Sequence, residues 1–260
     1  MQYSVRYIVL FSTAVCIAGA ILVSASAVTL KERQIVNKAL DKQKNVLEAA
    51  GLAQPGERLS AAEIQERFQR VRAKVIDLKT GEEVEGVDAT NFDQQREKKN
   101  PATSFPAPDN PARVKRLPNH AQIFEVLGDD GEVEMIVLPI EGYGLWSTLY
   151  GFVALDADLE TIRGLTFYDH GETPGLGGEV DNPNWKKLWP GRKVYGADGE
   201  VEIRVIKGKA GPPAEDPYEV DGLSGATITS RGVTNMLHFW LGEHGFGPYL
   251  ERLRNERRAA

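Results

Sequence analysis

The residues with the clearest chemical potential lie in one run, Asp221-Gly222-Leu223-Ser224-Gly225-Ala226-Thr227-Ile228-Thr229-Ser230. It reads as a polar, glycine-bearing turn leading into a helix. Ser224 has the chemistry of an N-cap, since its side chain can accept from the first free amides of a helix. Gly225 permits close approach of the backbone to a ligand. The free N–H groups of the first turn, beside the positive end of the helix dipole, favour a phosphate. A plain capped helix start, with Thr227 and Thr229 in its first turns, satisfies the same local pattern.

Two further loops carry ligand-lining residue types. Gly142-Tyr143-Gly144-Leu145-Trp146 offers glycines for close backbone approach and a Trp that can pack on an aromatic face. A loop holding a core Trp is the competing reading. Glu172-Thr173-Pro174-Gly175-Leu176-Gly177-Gly178 places turn residues around Leu176, and an ordinary surface turn has the same composition. His170 and His244 are isolated, and no His/Glu cluster has metal-ligand spacing. No G-x-G-x-x-G falls between a strand and a helix, so no dinucleotide site is indicated. Cys16 is the only cysteine, which excludes an intrachain disulfide and a thiolate-held cluster.

These loops must be positioned by the elements around them. The chain has 260 residues, 42% hydrophobic and 26% charged, with net charge -6. Lys and Arg are scattered, which argues against a nucleic-acid-binding face. From Tyr7 to Val28 no residue is charged. As a helix this stretch reaches about 33 Å, enough for a bilayer core of about 30 Å. A single N-terminal transmembrane helix is therefore expected. A cleaved signal peptide is the rival, with Ala25-Ser26-Ala27 as its cut site. Arg6 precedes the span, while Lys31, Arg33, Lys38, Lys42 and Lys44 follow it. That balance would keep the rest of the chain inside, but long domains translocate largely regardless of charge.

Residues 30–52 continue as a helix, with Leu30, Ile35, Val36, Leu40, Val46 and Leu47 on one stripe, until Gly51 and Pro55-Gly56 stop it. Ser60-Ala61-Ala62-Glu63 is a capping-box pattern opening a helix through about Lys74. Four prolines mark residues 97–117 as an irregular crossing loop. Gln122–Val126 and Val133–Leu138 flank Gly128-Asp129-Asp130-Gly131 as a hairpin, and Leu149–Leu155, Ile162–Tyr168 and Val201–Ile206 read as further strands. Helices over about 226–241 and 248–257 close the chain. The expected fold is α+β: an anchor helix at 1–29, a helical extension at 30–75, and a domain at 76–260 with a mostly antiparallel sheet and flanking helices.

The run Asp221–Thr227, D-G-L-S-G-A-T, resembles the motif of proteins modified by the periplasmic flavin transferase. In those proteins the last threonine of S-G-A-T takes FMN as a phosphoester, and here that residue is Thr227. With the N-terminal anchor, the following helix, Gly144-Leu145-Trp146 and Glu172–Gly177 in the same order, nearly the whole chain resembles the C subunits of sodium-translocating NADH:quinone oxidoreductases. The resemblance implies an FMN-binding domain on the periplasmic side of a bacterial inner membrane, held by one span. It implies that FMN relays electrons between NADH oxidation and quinone reduction, coupled to sodium export. Five other subunits are implied as partners, with a flavin transferase as a transient one, and NADH must bind elsewhere. By the same resemblance Glu172 and Thr173 hydrogen-bond near the cofactor, while Leu176 and Gly177 shape the ring pocket. Leu145, Trp146, Ser224, Gly225, Ala226 and Thr229 complete the expected binding set. No residue is expected to act on a substrate directly. Two alternatives stand beside this reading: the G subunit of an Rnf-type electron-transport complex, and a non-redox anchoring subunit with a vestigial motif.

Overall fold

A computed structural model describes residues 4–259. They form two compact units, one ending at Lys42 and one beginning at Gln43. Helix α1 (Val5–Ala49) supplies nearly all of the first unit and runs on without interruption through Ala25–Ala27. Its most apolar window has a mean hydropathy of 2.4, and it is the one helix among the described residues that is long and apolar enough to cross a membrane. Leu10, Phe11, Ile21, Leu22 and Val23 are all exposed along it. Such a continuous apolar surface calls for a lipid neighbour rather than water.

The second unit is built on a five-stranded antiparallel sheet. Its strands are β1 (Val71–Asp77), β4 (His120–Leu127), β5 (Val133–Tyr143), β6 (Thr148–Asp156) and β7 (Ile162–Asp169), and they lie side by side in that order. The expected hairpin is formed by β4 and β5, which pair Phe124 with Val137 and Val126 with Met135. Nearly every residue of β4 is buried, because both faces of the sheet are covered. Ile123, Ile136 and Leu138 point into one core with Met236, Leu237 and Trp240 of helix α5 (Thr227–Leu241). Phe124, Met135 and Val137 point the other way, onto Val46, Ala49 and Ala50 at the end of α1.

Two close approaches set these layers. On one face the carbonyl of Ala49 lies where a Cβ on Gly164 of β7 would stand, at 2.4 Å. On the other, a Cβ on Gly232 of α5 would lie 2.5 Å from the carbonyl of Tyr143. Trp240 is fully buried and donates its indole N–H to the carbonyl of Glu141 at 2.7 Å. Helix α6 (Gly247–Ala259) closes the chain.

The structure departs from the sequence pattern in several places. Ser60 and Glu63 do form the capping box, but α2 (Ala61–Phe68) ends well before Lys74. Residues 71–77 pair instead with β4, where Arg72 faces Glu125 and binds its carboxylate at 2.6 and 2.9 Å. The proline-rich stretch is more ordered than expected. It begins inside α3 (Gln94–Lys99) and contains the paired strands β2 (Ser104–Pro106) and β3 (Arg116–Pro118). Of Val201–Ile206, only Arg204–Val205 forms a strand (β8), parallel to Glu219–Val220 (β9). A short α4 (Pro183–Lys186) has no counterpart in the sequence pattern. Finally, the apolar stripe after the span divides: Leu30, Ile35 and Val36 are exposed, whereas Val46 and Leu47 are fully buried.

Replacing Gly164 by Ala forces a methyl against a backbone carbonyl that cannot swing away. The expected cost is about 1–3 kcal/mol, read as a lower denaturation midpoint of the purified chain.

Candidate functional site

Three loops meet beside the N-terminus of α5. The first joins β5 to β6 and is closed by a hydrogen bond from Gly144 N–H to the carbonyl of Ser147, 2.9 Å. The second follows β7 and contains Glu172. The third is the turn at 221–226. Glu172 ties the first two to α5. Its carboxylate accepts the backbone N–H of Leu145 at 3.1 Å, of Trp146 at 2.9 Å and of Ser147 at 3.3 Å. The Thr229 hydroxyl donates to it from α5 at 2.6 Å. The side-chain oxygen of Ser147 accepts Gly171 N–H at 2.6 Å, a second tie between the first two loops.

This packing explains two of the glycines. A Cβ on Gly144 would stand 2.6 Å from one Glu172 oxygen, and one on Gly177 would stand 2.5 Å from the other. Glu172 is 5% exposed. Burial pushes its carboxyl pKa up, but the Thr229 hydroxyl and the amides of Trp146, Leu145 and Ser147 outweigh burial and hold it below the ordinary carboxylate range. The site therefore contains a fixed, buried negative charge at neutral pH.

The turn before α5 differs from the expected cap. Ser224 is exposed and caps nothing; the N-cap position is Ala226, and no side chain caps the helix. Gly225 adopts φ +72°, a conformation that suits glycine. No side chain, that of Ser224 included, accepts from the first-turn amides. Those amides are left without a side-chain acceptor at the positive end of a 15-residue helix.

Three hydroxyls lie in the first turn, and their surroundings separate them. Thr229 is fully buried and engaged with Glu172. Ser230 is 4% exposed and accepts Leu223 N–H at 3.1 Å. Thr227 is exposed. Near it stand apolar side chains that face solvent: Leu176, whose Cδ2 would lie 2.9 Å from a Cβ added at Gly225, and Ile228, the next residue. Leu145 and Trp146 are also exposed, Trp146 by 65%, so the core-Trp alternative does not hold. Thr173 anchors its own loop, its carbonyl accepting Leu176 N–H at 3.1 Å and Gly178 N–H at 3.0 Å.

A cleft of about 610 Å³ opens beside Thr227, lined by Gly222, Leu223, Ser224, Gly225 and Thr234. Four cations line it as well: Arg204, Lys207, Lys209 and Arg231. Arg204 is paired with Glu219. Among the described residues, no carboxylate lies within ion-pairing distance of the other three. Sequence reading missed these cations and Ser147. The alternation Lys207-Gly208-Lys209 was visible, but nothing local connects it to a turn that follows more than ten residues later.

Residues 144–242 match the FMN-binding domain family, a span that begins at the first loop and ends with α5. Over 257 residues the chain is 45% identical to the C subunit of the Na(+)-translocating NADH-quinone reductase of Pseudomonas aeruginosa, covering 97% of each. The chain belongs to the family of Na(+)-translocating NADH-quinone reductase C subunits. The corresponding C subunit of Yersinia pestis is 46% identical over 243 residues, 92% of this chain and 89% of the relative. In three dimensions, the crystal structure of Shewanella oneidensis NqrC superposes with TM-score 0.76 at 36% identity, over 84% of this chain and 99% of that one. All three loops, at 144–147, around Glu172 and at 221–226, fall inside the FMN-binding match.

Thr229→Val keeps the shape of the side chain and removes the hydroxyl donor to Glu172. The expected cost is about 1.5–3 kcal/mol at neutral pH. Because Glu172 is held below its unfolded pKa of about 4.3, its contribution is complete above that value and fades as pH falls through the lower folded value. The deficit of the variant is therefore largest at neutral pH and narrows in acid, which denaturant titrations at both pH values measure.

Proposed function

We propose that this chain is the electron-relaying flavoprotein subunit of a sodium-translocating NADH-quinone reductase, carrying FMN joined through its phosphate to Thr227. The single observation that carries the attachment site is the exposure of Thr227 among the hydroxyls of an uncapped helix start. Support for FMN comes from the family match over 144–242 and from the fit of the site. FMN needs a seat for an anion, an apolar surface for its ring and a few fixed polar groups. The first-turn amides of α5 and the cations Lys207, Lys209 and Arg231 suit the phosphate. Leu145, Trp146 and Leu176 offer exposed apolar surface, and Glu172 packed on Gly177, with Thr173 closing its loop, fixes the loops that carry it. A cleft of about 610 Å³ lies in the range of pockets for molecules of that bulk.

FMN supplies the electron chemistry when bound. The protein's part is placement. An ester at Thr227 fixes the cofactor's location without altering its ring, and rebinding after any local opening is then intramolecular. Ser224, Gly225 and Ala226 shape the turn that presents the hydroxyl. Thr229 holds Glu172 and is unavailable for attachment. A threonine hydroxyl is a weak nucleophile, so a separate flavin transferase acts as a transient partner.

On this reading α1 is the single span in a bacterial inner membrane, the second unit lies on the periplasmic side, and five other subunits complete the complex. NADH is oxidised on another of them. The relatives are named as C subunits of the sodium-translocating enzyme and match over nearly the full length, which supports this family role over the G subunit of an Rnf-type complex. The intact run at 221–227 and the ordered Glu172 knot speak against a vestigial, non-redox anchor.

Intact mass and peptide mapping of the chain purified from cells that contain the transferase test this directly. An FMN-sized increase on Thr227, absent from Thr227→Ala, is expected. An adduct on Thr229 or Ser230 would contradict the exposure argument, and an unmodified chain would remove the covalent reading.

A further inference from the structure

The loop that carries Glu172, Thr173, Leu176 and Gly177 begins just after His170 and ends in a short 3-10 turn, Gly177–Asp181. Its two ends are clasped: His170 Nε2 lies 2.8 Å from an Asp181 carboxylate oxygen. On the other side of the ring, His170 Nδ1 accepts the backbone N–H of Glu172 at 3.2 Å. An amide N–H can only donate, so Nδ1 carries the lone pair and the ring proton sits on Nε2, directed at Asp181. The imidazole side chain is 13% exposed.

Asp181, half exposed to solvent, also meets the interior on one side. Its second oxygen faces the Lys186 ammonium of α4 at 3.9 Å. Lys186 is buried, donates to Thr166 Oγ1 at 2.8 Å and pairs with Glu48 at 3.3 Å. Glu48, in the last turn of α1, also accepts Gly56 N–H at 3.0 Å. Buried charges of this kind persist where every partner is fixed, because leaving one unpaired is costly.

We propose that His170 is a positioning residue for the flavin site: through Nδ1 it orients the Glu172 backbone, and through the Asp181 clasp it closes the loop that presents Glu172 and Leu176. The link to flavin rests on the functional reading above; the positioning of the Glu172 carboxylate does not. His170 acts through Glu172 and does not itself touch the cofactor. Without it the Glu172 amide loses its acceptor, the loop ends part, and the carboxylate no longer meets the amides of residues 145–147 in one fixed geometry.

The test is residue-resolved amide hydrogen exchange on the full chain in detergent, in the parent and in His170→Ala and His170→Asn, each with Thr227 intact and as Thr227→Ala. Asn at 170 retains an acceptor for the N–H two residues on, so it rescues the amide contact while losing the imidazole. The amides of Leu145, Trp146, Ser147 and Glu172 are expected to lose at least tenfold protection in His170→Ala, with β5 and β6 unchanged, and to regain it in His170→Asn. In the FMN-loaded chain the same variant is expected to shift the two-electron midpoint potential by about 30 mV, the equivalent of a tenfold change in the oxidised-to-reduced ratio. Protection within twofold of the parent, or loss that His170→Asn does not rescue, overturns the assignment. Lost protection with an unmoved potential overturns the link to flavin. Failure of the flavin reading itself is seen separately, as a parent chain without FMN mass, and the exchange result on the Thr227→Ala chains still decides the role of His170.

Discussion

A single buried carboxylate organises this molecule's working end. Glu172 takes hydrogen bonds from three consecutive amides of one loop and from a hydroxyl on α5, while its own loop wraps it with Gly177. A charge so buried is tolerable only because each of its oxygens is occupied. The geometry is reciprocal. The amides of residues 145–147 point inward because an anion is there, and the side chains of Leu145 and Trp146 are consequently turned outward. The exposure of Leu145 and Trp146 is thus a consequence of satisfying Glu172, and the site's apolar surface and its buried charge are one construction.

The sheet makes that construction rigid. Both of its faces are buried, one by α5 and one by the last turns of α1, and each contact depends on a glycine that lets backbone meet backbone. Met236 and Trp240 hold α5 against the end of β5, which is also where the first site loop begins. The helix N-terminus and the amide loop are therefore fixed to the same strand. Small displacements of α5 would be felt by Thr229 and Glu172 together.

Features set by near neighbours are legible in the sequence. The Ser60–Glu63 box, the β4–β5 hairpin and the stop at Gly51 follow from local chemistry alone. So does the α+β pattern with its apolar first helix. What is not legible depends on distant partners. The expected helix runs through about Lys74, but Val71–Asp77 becomes a strand because Glu125 and the β4 edge lie opposite. Val201–Ile206 alternates like a longer strand, but β9 offers only two residues for it to pair with. Ser224 has the right side chain for a cap and lies too early in the backbone, since Ala226 is the N-cap and the helix starts at Thr227. The family motif marks Thr227, whereas the reason Thr229 differs from it lies in a loop more than fifty residues earlier.

Thr227 faces solvent in a chain whose core, sheet and loop knot are already complete around it. Nothing in the packing has to open for that hydroxyl to be reached. On the proposed reading, loading can therefore come after folding, on a finished surface. Biogenesis would then have a natural order under that proposal: the domain matures first, and a modifying enzyme has a shaped epitope to inspect before it commits a cofactor.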